Sequence, residues 1–529
     1  MADKNDGGSE SFLLIGGGLI LLMAAVNKFI KWWSIWIQSP FHRFEVAGLV
    51  GIISSSLLYW LLKIRDRNLE KRRKELAILG PDVDAVFCGK TVEKKSVFIK
   101  PRQRSMHTQV VGTTNAGKTE SVILPWAIQD MEQKRGLILI DGKSDRSLLE
   151  KLRSYADRYG RRDDFRLFSL ASIDESFQFN PLIGGTTEEV AERVFNSFEF
   201  DNPHYRSVQY EVFAQFLRIF ESLKIVPTFL RLHQAITQPA KLYALMKDRK
   251  NDPLKQWLHH FMSLPANERT QSTSGLTAAI SHFAFGKTAA LFNTEKPNII
   301  LEEALAKNQI VYFQLPVLLT PFLGKATGKM VLQCLQAAVA NRHRGSDKSY
   351  KFFSVFLDDF TEYLYPGFVS VLNKSRSANV GIVFAHQALG DLKTLGDPIA
   401  NSILTNSNLK VFMRGNEPDS AEYFSKVIGT SKTVKYTERT KKNFWSQEST
   451  GDASAREVDE FVVHPNTFKN ELGVGEAVMV IPHESGSKAV TLKFNKYDDL
   501  PPVESKLFQK NLSDGLPEKL PPQPEKEAA

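Results

Sequence analysis

Residues 112–119 of this chain read GTTNAGKT and match the pattern GxxxxGK[ST] at every fixed position. This pattern is typical of a loop that wraps its backbone N–H groups around a phosphate, while the lysine reaches the outer phosphates and the following hydroxyl ligates Mg²⁺. A short apolar run at 109–111 precedes the loop, and a helical pattern at 121–131 follows it. This strand–loop–helix unit predicts an α/β fold built around a nucleotide site.

Within this loop, Lys118 is the predicted catalytic cation and Thr119 the predicted magnesium ligand. Asn115 stands where many such loops have glycine, and asparagine tolerates a left-handed backbone better than most side chains. The predicted nucleotide-binding residues are Gly112, Thr113, Thr114, Asn115, Ala116, Gly117, Lys118 and Thr119.

Two predicted strands end in acidic residues, where a magnesium-side carboxylate is expected. The run 136–141 ends in Asp141, and the run 352–359 ends in the pair Asp358 and Asp359. Both runs are almost wholly apolar, as in parallel strands that are buried on both faces. The doubled acid favours the second run: Asp358 can hold the metal through its water shell, and Asp359 can orient or deprotonate the attacking water. Asp141 has a simpler interpretation, because strands of doubly wound folds often end in an acid at the ligand crevice.

Two further predicted strands, 380–385 and 408–413, run into polar residues at the same edge of the sheet. Residues just beyond the carboxyl end of a parallel strand face the ligand crevice, so Gln387 is predicted to sense a γ-phosphate or to position water. Its neighbour His386 is interpreted as a packing or hydrogen-bonding residue. Arg376 is a candidate for an arginine supplied to the site of a neighbouring subunit, with Arg414 as the second candidate. The alternative for Arg376 is a solvated helix residue.

The amino end has two uncharged apolar segments, residues 12–26 and 46–62. Each is short for a membrane span, but three tryptophans between them favour the membrane interface, so we predict a transmembrane helical hairpin. A signal peptide is the alternative for the first segment, but its amino flank lacks a positive region. The segment after residue 62 is strongly basic and supplies about half of the whole-chain net charge of +9. Positive segments stay in the cytoplasm, so both termini and the bulk of the chain are predicted to be cytoplasmic.

Length and composition divide the 529 residues into several units. We predict a transmembrane hairpin and basic segment at 1–75, a first part of the nucleotide-binding domain at 76–186, an inserted all-helical domain at 187–290, the second part of the nucleotide-binding domain at 291–500 and a disordered proline-rich tail at 501–529. The insertion follows from helical periodicity broken by prolines, before strand-like sequence returns at 309–316. Cys88 and Cys334 are predicted to be packing residues, because a cytoplasmic compartment is reducing.

With these features in place, the chain resembles the type IV coupling proteins of conjugation and type IV secretion. The resemblance rests on the two amino-terminal spans, the phosphate loop, the helical insertion after an FNPL segment, the acid pair, the strand ending in Gln387 and the later segment AEYFS. It covers roughly residues 12 to 495. It implies a RecA-like P-loop domain and a homohexameric ATPase at the inner face of the bacterial inner membrane, which uses ATP and Mg²⁺, binds DNA and recruits substrates to a secretion channel.

Carried over by position, the resemblance assigns Lys118 and Thr119 to phosphate and magnesium, Asp358 to the metal side, Gln387 to the sensor and Arg376 to the trans arginine. The chain departs from the family at Asp359, where glutamate is usual, and a carboxylate one methylene shorter reaches about 1.5 Å less. The DPKG turn of the family reads DGKSD at 141–145, which leaves its role open.

Three functions fit these residues. The first is a membrane-anchored ATPase that translocates DNA, single- or double-stranded, or pumps substrate toward a secretion channel together with a DNA-processing complex. The second is an ATP-binding docking receptor for protein effectors that hydrolyses little. The third is a membrane-anchored chromosome-segregation motor, which usually has more spans and a carboxyl-terminal winged domain. The basic and aromatic residues at 432–445 fit either a single-strand groove or a solvated loop.

Overall fold

The structure is a computed structural model that describes residues 27–32, 55–56, 59–60, 63, 84–200, 202–345, 350–443, 446–484 and 486–509. For residues 436–443 and 446–455 it describes the backbone alone. The chain divides between Gly80 and Pro81 into two units. Of the first unit, the described part is a helical turn at 27–32 and single helical positions between 55 and 63.

The second unit is organised by a large mixed sheet, which confirms the predicted α/β class. In the described part of the chain, eleven strands lie in the order β2-β1-β13-β12-β9-β3-β8-β7-β4-β6-β5, and β10 and β11 form a separate two-stranded sheet. The strands are β1 Val86–Thr91, β2 Ser96–Ile99, β3 Thr108–Val111, β4 Leu137–Asp141, β5 Phe165–Ser169, β6 Ile310–Gln314, β7 Phe353–Asp358, β8 Val380–His386, β9 Leu409–Met413, β10 Thr430–Asn443, β11 Ser446–Phe461, β12 Glu476–His483 and β13 Gly486–Phe494.

The seven strands from β9 to β5 pair in parallel, and β12, β13, β1 and β2 extend the sheet with antiparallel pairs among the described strands. The central strands β3, β4, β7, β8 and β9 are buried along their whole length. Helices cover both faces of a parallel sheet, which is why these strands read as continuous apolar runs. The sequence therefore predicted the parallel part, but it did not predict the strands β12 and β13.

Helices occupy most of the remaining described chain, and several begin at a capping residue. Asn202, Thr228 and Asp252 each accept a hydrogen bond from a backbone N–H of the first helical turn. Prolines predicted as breaks stand at helix starts, where a missing N–H costs nothing. The helices are Pro101–Arg104, Leu124–Glu132, Arg146–Arg158, Thr187–Phe195, Pro203–Ser222, Phe229–Thr237, Pro239–Leu245, Pro253–Ser263, Ala266–Ala284, Ala289–Phe292, Leu301–Lys307, Pro321–Arg344, Phe368–Ser375, Leu389–Lys393, Asp397–Thr405 and Pro418–Ile428.

Helices alone fill the stretch from Thr187 to Phe292, where the sequence predicted an inserted helical domain. Their core is continuous with that of the sheet. Phe292 packs against Phe168 of β5 at 5.3 Å between ring centroids and against Phe283 at 5.0 Å. The helical stretch therefore packs directly on the sheet, and its separation into a domain of its own stays a prediction.

Strands β10 and β11 form a long hairpin where the sequence predicted a groove or a solvated loop. Their register pairs Lys432 with Asp459 and Lys441 with Glu448, so the cations of β10 lie opposite an acid-rich strand. Lys432 Nζ also lies 3.4 Å from Glu457 Oε2. The charge of the basic segment is therefore partly compensated within the hairpin.

Within the described residues, no helix has the length and apolar character needed to cross a bilayer. The predicted span 12–26 lies outside the described residues, and of the span 46–62 only residues 55, 56, 59 and 60 are described. The transmembrane hairpin, the bilayer contact and the multi-pass localisation remain predictions from the sequence.

The first residues of the proline-rich tail differ from the prediction of disorder. The backbone carbonyl of Pro501 accepts a hydrogen bond from Ser154 Oγ at 3.0 Å. Phe508 is buried, and its ring lies 5.4 Å from that of Phe165. The proline-rich composition predicted disorder. Composition does not reveal that a single residue, Phe508, packs on the surface of the folded domain. Residues 510–529 lie outside the described part.

Candidate nucleotide-binding site

The loop 112–118 connects the carboxyl end of β3 to a helical segment that begins at Thr119. Asn115 has φ +64° and Gly117 has φ +97°, the left-handed conformations that such a loop requires. Backbone N–H groups of Gly112 and Thr113 donate to the carbonyls of His386 and Arg414, at 3.3 and 2.9 Å. The ends of β8 and β9 therefore hold the start of the loop in place.

Glycine is required at two points of the loop for lack of space. A Cβ on Gly112 would lie 2.8 Å from Met413 Cβ, and one on Gly117 would lie 2.9 Å from Ser121 Oγ. The Gly117 side of the loop is also closed by Gly475, whose N–H donates to the Ala116 carbonyl at 3.0 Å. The backbone is thus the inner surface of a tight cradle, which fits a phosphate.

The helix after the loop begins with a π turn, Thr119–Ile123, rather than with a regular α turn. The Leu124 N–H bonds to the Thr119 carbonyl. Pro125 follows and has no N–H for the Ser121 carbonyl, so a regular α-helical bond is unavailable at that point. With this turn included, the helical segment begins at Thr119, two residues before the predicted start at residue 121.

Lys118 is the last residue of the loop, and its almost wholly buried side chain lies against the start of the loop. Its Nζ donates to the carbonyls of Gly112 and Thr113, at 2.7 and 3.2 Å. Burial lowers the pKa of Lys118, and the charge of Asp358 opposes that shift. The ammonium therefore lies in the loop, on the side of the acid pair.

Thr119 and Asp358 are in direct contact, although 239 positions separate them in the chain. Thr119 Oγ1 donates to Asp358 Oδ2 at 2.6 Å. Burial and the neighbouring Asp359 raise the pKa of Asp358 to about 6, while the hydrogen bond from Thr119 opposes the rise. A hydroxyl and a carboxylate are oxygen ligands that suit Mg²⁺, which takes its other ligands from water and phosphate. Among the described residues, no group of three or more His, Cys, Asp or Glu side chains is arranged to hold a metal ion.

Asp359 follows Asp358 in a left-handed conformation, with φ +47°. Its carboxylate forms an ion pair with Lys143, at 2.8 Å between Nζ and Oδ2. Asp359 N–H donates to Asp358 Oδ1 at 3.1 Å, so Asp358 is held by Thr119 and by this N–H, whereas the carboxylate of Asp359 pairs with Lys143. The structure therefore separates the metal-side acid from the acid predicted to act on water.

Asp141 lies beside the acid pair but has a different environment. It is buried and in register with Asp358 on the neighbouring strand. It accepts hydrogen bonds from the N–H groups of Lys143 and Asp145, at 2.8 and 2.9 Å, and from the Tyr312 hydroxyl at 2.8 Å. Asp141 therefore holds the turn that presents Lys143, in agreement with the simpler of its two interpretations.

The structure brings Gln387 to the phosphate loop. Thr114 Oγ1 donates to Gln387 Oε1 at 3.3 Å. His386, directly before it, is buried, and burial lowers the pKa of its ring to about 4. Its ring nitrogens lie 3.0 Å from Gln109 Nε2 and 2.8 Å from the carbonyl of Ala388. His386 is therefore a neutral hydrogen-bonding residue beneath the sensor position.

Gln109 links His386 to a buried lysine on the other neighbouring strand. Lys410 Nζ donates to Gln109 Oε1 at 3.0 Å, to the Leu404 carbonyl at 2.9 Å and to Ser407 Oγ at 3.3 Å. All three acceptors are neutral, and burial lowers the pKa of Lys410 from 10.5 to about 7. A polar chain thus crosses β9, β3 and β8 just below the phosphate loop.

This burial predicts a pH dependence of stability. Lys410 has a lower pKa in the folded protein than in the unfolded chain, so between about pH 7 and 10 the unfolded chain binds more protons. Stability from this group therefore rises with pH in that window, by at most about 1.4 kcal/mol per pH unit, and the penalty is fully present below pH 7. Lys410→Met is expected to remove this part of the slope, measured from denaturation midpoints at pH 7, 8 and 9. Lys374→Met, at an exposed position, is the control, and an unchanged slope in Lys410→Met would contradict the prediction.

The two arginine candidates lie in different places. Arg414 is half-buried, and its backbone carbonyl supports the loop through the N–H and hydroxyl of Thr113. Arg376 is exposed and precedes β8, whereas the loop lies beyond the carboxyl end of β3, which is parallel to β8. At about 3.3 Å per residue, β8 separates its two ends by roughly 20 Å. Arg376 therefore does not reach the site of its own chain, and a role in the site of another copy stays a prediction.

Sequence reasoning missed three parts of this site. Lys143 was not a candidate, although the charged turn at 141–145 was a signal that it belongs to the crevice. Gly475 and Lys410 gave no such signal, because strand pairing alone brings Gly475 to the loop and Lys410 to Gln109 below it. Each of these contacts joins residues that lie far apart in the chain.

In sequence, a family model described as the TraM recognition site of TraD and TraG matches residues 353–469. The type 4 coupling protein DotL of Legionella pneumophila is 22% identical in an alignment of 402 positions that covers 62% of this chain and 50% of that protein. The chain thus spans about half the length of the curated relative that it matches.

In structure, the chain is similar to the bacterial conjugative coupling protein TrwBΔN70, with a TM-score of 0.59 at 13% identity over 81% of this chain and 93% of that one. TrwB in complex with ADP and Mg²⁺ matches with a TM-score of 0.58 at 14% identity and the same coverage. VirB4 of Thermoanaerobacter pseudethanolicus matches with a TM-score of 0.51 at 12% identity, over 79% of this chain and 98% of that one. At these identities the structural matches show a shared fold.

Proposed function

We propose that this chain is the membrane-anchored coupling ATPase of a conjugative or type IV secretion system, and its similarity to type IV coupling proteins in sequence and in fold supports the proposal. In this proposal it binds ATP with Mg²⁺, binds DNA and recruits or pumps a DNA–protein substrate to the secretion channel. It acts as a homohexamer at the bacterial inner membrane, with most of the chain in the cytoplasm.

The contact between Thr119 and Asp358 carries the ATPase part of this proposal. It joins the end of the phosphate loop to the end of β7 at 2.6 Å, with the cradle of Gly112 and Gly117 beside it. A hydroxyl and a carboxylate at this spacing can share the water shell of one Mg²⁺ ion. The structural match to TrwB in complex with ADP and Mg²⁺ supports the same ligands.

We assign the site residues as follows. Lys118 binds the outer phosphates, Thr119 and Asp358 hold Mg²⁺, Asp359 orients or deprotonates the attacking water, and Gln387 senses the outer phosphate from its place beside Thr114. Mg²⁺ would neutralise charge that develops on the phosphates during hydrolysis. Arg376 is assigned to the site of the neighbouring subunit in a ring.

A docking receptor for protein effectors is the second candidate, and the hairpin favours it. Lys432 and Lys435 of β10 lie close to Glu457 and Glu460 of β11, so these cations are already paired. A cation contributes to DNA affinity by neutralising a phosphate. Cations that are already paired with carboxylates therefore contribute little. The matched family model, described as a recognition site, covers this hairpin.

Steady-state ATP turnover of the full-length protein, with and without single- or double-stranded DNA at two salt concentrations, separates the two candidates. A coupling motor is expected to show turnover that DNA stimulates and salt weakens. Nucleotide binding with no DNA-stimulated turnover would instead favour the docking receptor. Lys118→Ala serves as the inactive control in both arms.

Removal of the shorter acid tests whether it takes part in hydrolysis. Asp359→Ala is expected to lower kcat roughly a hundredfold, the usual effect of losing a general base, with ATP affinity retained. Asp163→Ala, at an exposed aspartate outside the site, is the control, and both variants are compared by turnover and by nucleotide titration. A kcat within threefold of the wild type would exclude Asp359 from the reaction.

A further inference from the structure

Lys143 has no role in the site as described so far, yet it lies inside it. Its ammonium is 2.8 Å from Asp359 Oδ2, and Asp359 is the residue assigned to the attacking water. The lysine side chain is 56% exposed and that of Asp359 only 12%, so the lysine approaches a buried carboxylate from the open side of the crevice. A cation in this position is adjacent to the place where the outer phosphate is attacked.

The backbone that carries Lys143 is held rigidly. Asp141 accepts the Lys143 N–H at 2.8 Å, and the Gly142 carbonyl accepts the Val317 N–H at 3.1 Å. A Cβ on Gly142 would lie 3.5 Å from Asp359 Cβ, so the turn packs directly on the acid pair. The root of the Lys143 side chain is therefore fixed, while its four-carbon stem stays free to move its charge by a few ångströms.

The charges of the site favour a second cationic side chain. Asp358 and Asp359 lie on one side of the loop, and Lys118 faces them with its ammonium bound to loop carbonyls. These side chains supply two negative charges and one positive charge, and Mg²⁺ offsets only part of the negative charge that a triphosphate adds. The charge of Lys143 acts on both Lys118 and Asp358, which shows that all four groups share one electrostatic environment.

We propose that Lys143 is a second phosphate-side cation of the nucleotide site, which contacts the outer phosphate of a bound nucleoside triphosphate and makes the site prefer a triphosphate to a diphosphate. This inference rests on the proposed nucleotide binding. A diphosphate does not extend to this part of the crevice, so Lys143 adds to the affinity for ATP and little to that for ADP. Its ion pair with Asp359 keeps the ammonium at the crevice.

The test is the affinity of the full-length protein for two fluorescent nucleotides with Mg²⁺, ADP and the non-hydrolysable β,γ-imido analogue of ATP. Lys143→Ala is expected to weaken binding of the analogue roughly tenfold, since a charge-assisted hydrogen bond is lost, and to change ADP affinity less than twofold. Lys143→Arg is expected to keep the preference. Lys307→Ala is the matched control, because Lys307 is 62% exposed and also pairs with a glutamate.

Two outcomes would overturn the inference. One is an unchanged ratio of the two affinities in Lys143→Ala. The other comes from the Asp359→Asn background: if Lys143→Ala no longer changes the ratio there, the lysine acts only through Asp359 and does not contact the phosphate. A ratio that falls in both backgrounds supports the contact.

The proposed function has its own readout in the same titrations. A wild-type protein that binds neither nucleotide, or a Lys118→Ala variant that binds both normally, contradicts nucleotide binding at this loop. A wild-type protein that binds both nucleotides, together with an unchanged ratio in Lys143→Ala, contradicts only the role of Lys143.

Discussion

Lys118→Ala is expected to abolish ATP turnover, by roughly a thousandfold or more, and to weaken nucleotide binding. The reason lies in the geometry of the loop, where the Lys118 ammonium is buried and donates to carbonyls of the cradle itself. No other side chain of the loop carries a positive charge. Removal of this cation leaves the loop with uncharged groups alone to bind the phosphates.

The fold is expected to survive this change. The variant loses two hydrogen bonds but also loses the cost of burying an ammonium, which is the largest influence on the pKa of Lys118. The two effects oppose each other, so the thermal midpoint should move by only a few degrees. Turnover, nucleotide titration and thermal unfolding are measured on the same preparation, with Lys374→Ala as the control. Turnover in Lys118→Ala near the wild-type value would remove the basis of the proposed function.

Asp358→Asn is expected to reduce Mg²⁺-dependent turnover by roughly a hundredfold to a thousandfold. Asparagine keeps the size of the side chain and keeps an oxygen that can accept the Thr119 hydroxyl, so the contact at 2.6 Å can persist. What is lost is the negative charge that attracts the metal. Nucleotide binding without Mg²⁺ should change little, while the concentration of Mg²⁺ needed for half-maximal turnover should rise.

The same variant is expected to be more stable than the wild type in the absence of Mg²⁺ and nucleotide. Burial raises the pKa of Asp358 from 3.8 to about 6, so its ionised form destabilises the fold above pH 6. This penalty develops as pH rises from about 4 to 6 and is full at pH 7. Asp358→Asn removes it, by roughly 1 to 3 kcal/mol. Denaturation midpoints at pH 5 and 7.5 measure the change, and a variant that is less stable at pH 7.5 would contradict this account of the carboxylate.

Asp163→Asn is a useful comparison for both measurements, because Asp163 is an exposed aspartate outside the site. It should keep both its magnesium dependence and its stability. Gain of stability together with loss of activity is common at sites where a charge is buried for function.

The parallel core was predictable because its signal is local. Strands β3, β4, β7, β8 and β9 are buried along their whole length, so each appears in the sequence as an uninterrupted apolar run. Polar residues at the ends of these runs necessarily meet at one edge of the sheet. That rule predicted that Asp358 and Gln387 lie beside the phosphate loop.

The antiparallel extension and the inner network were not predictable in this way. Strand β12 pairs with β9, and the turn before it brings Gly475 onto Gly117 and Ala116. Lys410 reads as a surface residue within a strand, yet its ammonium is buried against Gln109. These positions depend on which strands become neighbours. The periodicity of a sequence can identify a strand, but it does not indicate which other strand pairs with it.

The hairpin of β10 and β11 is another feature that the sequence alone did not determine. Residues of β10 form a run of cations that the sequence alone could assign to a nucleic-acid groove or to a loop. The register places Lys432 opposite Asp459 and Lys441 opposite Glu448, and Lys435 forms an ion pair with Glu460. Only the pairing reveals that much of this charge is compensated.

The sequence by itself determined the chemistry of the loop, the α/β class and the resemblance to the type IV coupling proteins, because contiguous residues and local periodicity carry all three. The tertiary structure alone decided that Lys143 meets Asp359, that Asp141 holds the turn and that Arg376 lies far from its own loop. The contact of Lys143 with Asp359, above all, joins positions that are distant in the chain. Strand order and register bring such positions together, and both arise from the burial of whole strands rather than from any short segment.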